Sequence, residues 1–277
     1  MISLLSISGC ARWSNLEDIA KKPTHGITTM SMADDVIPVE VIFLRMGSQQ
    51  LIELQSVWPR VNEQILPIDL RKRLDQNGIR AAVVDTVIPL PLQTMIDSVE
   101  KRLQDDPLEQ AGIGADVRSH SRLLQCRDGQ RKEISVRPSR TGSMILLHNE
   151  GGAAKGRSYD DPQLLFDFRA HPKGDGSATI HFTPEIQHGQ LKQKIIGQEF
   201  ALRREMKRDS DTWPDLAIEH TMVPGQILMV TASTPARGLG EHFFYTETAS
   251  GDFEQLLFLM RIGPSKIDSA FVSKSGK

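Results

Sequence analysis

Apolar positions along this chain follow two rhythms, which change over near residue 110. Val39, Val41, Ile42, Phe43 and Leu44 form a short run rich in β-branched and aromatic residues, which predicts a strand over 39–46. Leu51, Leu54, Val57 and Trp58 follow at helical spacing until Pro59 interrupts them. A second helix fits 67–77. Pro67 lies near its first turn, Leu70 and Leu74 share a face, and Asn77-Gly78 is a C-terminal stop. Residues 79–84 read as the next strand. Pro89-Leu90-Pro91 then opens a helix whose apolar stripe is Leu92, Met95, Ile96, Val99 and Leu103. The order β-α-α-β-α predicts a small two-layer α/β module over 36–110, with the sheet on one side and helices on the other.

Residues 105–117 read as a linker, and from about Arg118 the pattern turns β-rich. Four hairpins are expected. Strands 123–126 and 133–136 flank Asp128-Gly129, and 164–170 and 178–183 flank Lys173-Gly174-Asp175-Gly176. Strands 216–222 and 227–231 flank Pro224-Gly225, a type II turn signal. Strands 243–248 and 253–262 flank Ala249-Ser250-Gly251-Asp252. Residues 144–148 form a short apolar strand, and 198–208 fits either a solvated helix or a polar strand. The expected fold class is α+β: the α/β module, then a mostly antiparallel β-rich sandwich or open barrel over 118–264. A frayed tail spans 265–277.

Composition narrows the class of protein. The 277 residues carry 33 Lys+Arg against 35 Asp+Glu, a formal charge of −2 that gives no overall pull toward nucleic acid. The basic clusters Arg71-Lys72-Arg73 and Arg203-Arg204 with Lys207-Arg208 lack interleaved aromatics and read as solvated helix faces, so no nucleic-acid partner is expected. Two cysteines exclude a disulfide scaffold. Cys126 alternates with apolar neighbours and reads as a buried strand thiol.

Candidate chemistry is sparse. Gly151 to Ser158 matches the phosphate-loop spacing except that Arg157 stands where Lys is required, and the following helix is missing, so an inter-strand loop is expected. His171, His181 and His188 are the densest histidine group but lack metal-ligand spacing. There is no Gly-x-Ser-x-Gly, and the acidic pairs Asp34-Asp35 and Asp160-Asp161 sit in polar, solvated stretches. Trp58 and Trp213, each before a proline, read as core or hinge anchors. These readings assign no catalytic, cofactor-binding or metal-ligating residue.

The N-terminal segment is more informative. Ile7-Ser8-Gly9-Cys10 resembles the lipobox of bacterial lipoproteins: an aliphatic residue, two small residues, then the cysteine that accepts the lipid. Only nine residues precede Cys10 and none is basic, so 1–9 read as the remnant of a signal peptide and 10–35 as a polar tether. The resemblance implies lipidation at Cys10, anchorage to a membrane through that lipid, and a cell-envelope location facing the periplasm or exported.

Two regions of the β-rich half also resemble the C-terminal region of bacterial secretins. Ile180-His181-Phe182-Thr183-Pro184-Glu185-Ile186 is similar to their strand ending in a Thr-Pro turn. Residues 223–230 and 256–262 are similar to their turn, strand and last strand, although Thr231-Ala232-Ser233 replaces the expected Gly-Gly. This implies a secretin-like ring or assembly subunit without a channel, with an envelope protein as partner. The leading expectation is a lipid-anchored envelope protein that binds or scaffolds. The alternatives are the secretin-like subunit and an enzyme whose site is assembled from residues distant in sequence. The sequence leaves the oligomeric state open.

Overall fold

The computed structural model describes residues 36–105, 120–137, 139–198, 201–247, 251 and 253–264. The signal remnant, tether and lipobox, the expected linker beyond residue 105 and the C-terminal tail therefore lie outside the described residues.

The N-terminal elements follow the expected order. Strand β1 (Val36–Met46) leads to α1 (Ser48–Val57), a 3-10 turn (Trp58–Arg60), α2 (Ile68–Gln76), β2 (Ile79–Val84) and α3 (Leu90–Asp105). After these come β3 (His120–Arg127), β4 (Lys132–Ser135), β5 (Ser143–Glu150), β6 (Ala153–Asp160), β7 (Gln163–Pro172) and β8 (Ala178–Gln198). The described chain closes with β9 (Ala201–Thr212), a 3-10 turn (Pro214–Leu216), β10 (Ile218–Met222), β11 (Ile227–Ala232), a short helix α4 (Gly238–Phe244), β12 (Tyr245–Glu247) and β13 (Phe253–Ile262).

The fold is α+β and mostly antiparallel, an open sandwich rather than a closed barrel. One sheet has the order β2-β11-β13-β1-β3, with β12 on β13. The second has the order β10-β8-β7-β4, with β9 pairing β8. The hairpin β5–β6 forms a third, two-stranded sheet.

The expected division into a separate α/β module and β-rich domain does not hold. Strands β1 and β2 do not neighbour each other; β11 and β13 lie between them, with Phe43 opposite Phe258 and Val83 opposite Leu228. A two-stranded fragment cannot bury both faces alone, and here strands from the C-terminal end complete it. The helices also divide between two apolar clusters. Helices α1 and α3 cover one face through Leu54, Val57, Leu92, Met95, Ile96 and Val99. Helix α2 packs Leu70 and Leu74 on the other, inter-sheet side.

Strand alternation explains this arrangement. In β1, Val39, Val41 and Phe43 enter the inter-sheet core, whereas Ile42, Leu44 and Met46 face α1 and α3. Phe166 and Phe182 stack at 4.0 Å between ring centres, and Phe182 stacks on Phe258 at 4.9 Å, which joins the two sheets. Cys126 is fully buried in this core, as its alternation implies, and burial pushes its thiol up to about 11.

Two of the four expected hairpins are instead crossings between sheets. Strand β3 pairs β1 while β4 pairs β7, so the turn at Gly129 carries the chain across the sandwich. The Pro224-Gly225 turn has the expected type II form, with Gly225 at φ 92° and the Gln226 N–H on the Val223 carbonyl, yet β10 and β11 join different sheets. The β7–β8 hairpin is as expected. In the last one, Phe243 and Phe244 belong to α4, and the strand paired with β13 starts at Tyr245. Of the ambiguous stretch 198–208, residues 201–208 belong to strand β9, so Arg203, Arg204, Lys207 and Arg208 lie on a strand and not on a helix.

Helix α4 reaches the core because two glycines let backbones touch. A Cβ on Gly240 would fall 1.7 Å from the Gly78 carbonyl oxygen. Gly240→Ala is therefore expected to cost about 2–3 kcal/mol, the scale of overpacking, measured as a lower urea midpoint with an unchanged slope.

Candidate functional site

The hairpin β5–β6 turns on Gly151-Gly152, both at positive φ (62° and 86°), the conformation that two-residue hairpin turns require. The phosphate-loop-like string is thus a tight turn followed by strand β6. Along the hairpin, Met144, Leu146 and Tyr159 pack against the core near its base. Nearer the tip, the same row carries His148, Glu150, Lys155 and Arg157. There it faces the end of β9, the 3-10 turn after it and Arg73 of α2 across an open cleft of about 1020 Å³.

Asn77, at the end of α2, holds the hairpin in place. Its side chain is buried and acts as a substitute strand neighbour. The Asn77 Nδ2 donates to the Asn149 carbonyl at 3.0 Å, and the Asn149 N–H donates to Asn77 Oδ1 at 2.7 Å. Asn77 Nδ2 also donates to the Arg73 carbonyl, and the Asn77 carbonyl accepts from the Gly240 N–H at 2.9 Å. One residue therefore ties α2, β5 and α4 together.

The walls of the cleft carry both signs of charge, in pairs. Lys155 donates to Glu150 at 2.8 Å, and the Lys155 ammonium holds the Glu150 carboxyl below its ordinary value. Arg157 pairs with Asp211 and lies 5.2 Å from the Tyr159 ring centre. Asp211 also engages Tyr159, and His188 Nε2 stands 4.0 Å from it. Burial, reinforced by Asp211, pushes the Tyr159 hydroxyl up to about 12, so at neutral pH it is a hydrogen-bond donor and not a nucleophile.

His148 packs edge-on against Trp213 at 5.8 Å, with Nε2 3.6 Å from Glu150. Its Nδ1 is buried without a hydrogen-bond partner. A buried lone pair costs less than a buried unpaired N–H, so the proton belongs on Nε2, facing Glu150. Arg73 donates to the Asp215 carbonyl at 2.8 Å and closes the α2 side.

The residues considered from sequence have separate fates. Ile7, Ser8, Gly9 and Cys10 lie outside the described residues. His171 and His181 sit 5.3 Å apart across strands, engaged with Asp128 and Glu219, while His188 stacks edge-on at 5.0 Å from Tyr159. Among the described residues, no group of three or more His, Cys, Asp or Glu could hold a metal ion. Trp58 is a core residue with Arg80 stacked 3.8 Å over it. Trp213 is both a core anchor and part of the cleft wall. Of the basic run 71–73, Arg73 lines the cleft. The stretches similar to secretins fall in β8 of one sheet and in the turn to β11 and β13 of the other.

Outside the cleft, Arg131 meets three carboxylates: Glu185 at 2.7 Å, Glu133 at 3.1 Å and Asp167 at 3.6 Å. The Glu185 side chain has no exposure, so this pairing is structural neutralisation of a buried charge. Comparison of the chain with protein-family models, curated proteins and solved structures finds no match.

Two outcomes follow from this geometry. Asn77→Ala leaves the outward groups of the half-buried Asn149 without their protein partner and is expected to cost about 1–3 kcal/mol. Faster amide exchange at Asn149 and Gly240 would report it. The second outcome concerns alkaline stability. The folded chain keeps the Tyr159 proton where the unfolded chain, with an ordinary value of 10.0, has lost it. Unfolding then releases a proton, and stability falls as pH rises from about 10 to about 12. Cys126 acts in the same direction from 9.0 to about 11. Denaturation across this range should show a shallower fall for Tyr159→Phe than for the unmodified chain.

Proposed function

We propose that the protein is a lipid-anchored component of a bacterial cell envelope that binds a polar ligand in the hairpin cleft and does not transform it. The carrying observation is the cleft wall, where Lys155–Glu150 and Arg157–Asp211 hold charges of both signs in fixed positions on a hairpin pinned by Asn77. Such a surface suits a ligand that itself carries acidic and basic groups, such as a peptide segment. The anchor rests on Ile7-Ser8-Gly9-Cys10. It is supported by the complete burial of Cys126, which makes that thiol a poor disulfide partner. The envelope setting would also allow an envelope protein as partner, in keeping with the secretin-like stretches.

An enzyme is a second reading, favoured by the convergence of His148, Glu150 and Asp211 on one cleft. Binding is preferred for three reasons. Glu150 already neutralises Lys155, His148 has its only accessible nitrogen directed at Glu150, and Tyr159 is held protonated.

Metabolic labelling of the full gene product with an alkyne fatty acid tests the anchor. Label on the unmodified protein and none on Cys10→Ser is expected; an unlabelled native protein overturns it. Tryptophan fluorescence tests the cleft. A panel of mixed-charge tripeptides is expected to quench it in the unmodified protein and at least tenfold more weakly in K155A/R157A. Equal quenching in both removes the cleft from the reading, and conversion of the peptides would favour the enzyme.

A further inference from the structure

We infer that the outer edge of β2, beside α2, is a recognition slot for a short extended acidic peptide, which it takes up as an added strand. β2 ends its sheet: β11 runs along one of its edges, and among the described residues no strand runs along the other. The hydrogen-bonding phase identifies the groups on the free side. The Ser233 N–H donates to the Gly78 carbonyl, so Gly78, Arg80, Ala82 and Val84 direct their backbone groups at β11. Ile79, Ala81 and Val83 therefore direct theirs outward.

Val83 already shows what the edge accepts. Asn62 lies against it as an isolated antiparallel bridge, with its N–H on the Val83 carbonyl at 2.9 Å and the Val83 N–H on its carbonyl at 3.1 Å. Beyond that bridge, the outward groups of Ala81 and Ile79 have no hydrogen-bond partner among the described residues. They border a cavity of about 270 Å³ between β2 and α2. Unpaired backbone groups in a near-buried strand are a standing cost, and an incoming strand relieves it.

Charge specifies the occupant. The acids around the cavity are already taken: Glu63 by Arg80 at 2.5 Å, and Asp75 by Arg237 at 2.7 Å. Arg71 and Lys72 line the same cavity, and Arg71 Nε is buried without a hydrogen-bond partner. The surplus is positive. An extended segment that hydrogen-bonds Ala81 and Ile79 places alternate side chains toward α2, where carboxylates would meet Arg71 and Lys72. Ile68, largely exposed at the rim, offers an apolar contact for the residues between.

The test uses the full chain and two blocked, fluorescent hexapeptides, one alternating valine with glutamate and one alternating valine with lysine. Anisotropy is expected to show binding of the glutamate peptide and at least tenfold weaker binding of the lysine peptide. Ala81→Pro removes an outward N–H that β11 does not use, so the strand survives on its paired side while the slot loses a donor. At least a tenfold loss is expected, with an unchanged circular dichroism spectrum. Should that variant unfold, R71E/K72E on α2 decides the matter by reversing the peptide preference. The proposal is overturned if neither peptide binds, if both bind equally, or if a folded Ala81→Pro binds as well as the unmodified chain. Self-association abolished by Ala81→Pro, without peptide binding, would replace the peptide with a second copy and overturn it equally.

Discussion

The side chain of Asn77 is the constraint on which the rest of the structure converges. It presents a carboxamide to β5 as if it were one more peptide unit of a sheet, taking both outward groups of Asn149. Its own carbonyl receives the first turn of α4. Only a primary amide supplies a donor and an acceptor in that geometry. The adjacent Gly78, at φ 74°, ends α2 and lies under Gly240. The hairpin, the aromatic plug of α4 and the cleft wall thus meet at two residues, Asn77 and Gly78. In the sequence this dipeptide reads only as a helix stop.

What was legible in the sequence was local. The β-α-α-β-α order over 36–105 is present because helical stripes such as Leu92, Met95, Ile96 and Val99 and strand runs such as 79–84 encode their own periods. Turn chemistry was equally local. Pro224-Gly225 makes the turn its residues require, and Gly151-Gly152 adopts the positive φ angles that only such residues tolerate cheaply. Which strand lies across a turn is not encoded there. Both Asp128-Gly129 and Pro224-Gly225 reverse the chain and then hand it to the opposite sheet. That choice is settled by burial. Cys126 lies opposite Ile37 in one sheet, while Ile134 lies opposite Phe166 in the other.

The cleft was less legible still, because its walls come from three places in the chain: Arg73, His148 to Tyr159, and Ser210 to Asp215. One signal was available. On β5 and β6 the row shared by Met144, Leu146 and Tyr159 turns charged at His148, Glu150, Lys155 and Arg157. A strand face that begins apolar and ends charged marks where a hairpin leaves the body. Gly151 to Ser158, expected to be an inter-strand loop, is a turn confined to Gly151-Gly152 and then strand β6. These two glycines serve the turn, Lys155 pairs with Glu150 within the hairpin, and Arg157 pairs with Asp211 at the end of β9.

β1 is the first described strand, and it enters the middle of its sheet, with β13 on one side and β3 on the other. Tension applied through the chain upstream of Val36 would therefore run along a strand gripped on both flanks. Its hydrogen bonds would share the load in shear instead of parting one at a time, as they do when an edge strand is peeled. A body suspended by its N-terminal end gains mechanical endurance from that placement without any change in its thermodynamic stability.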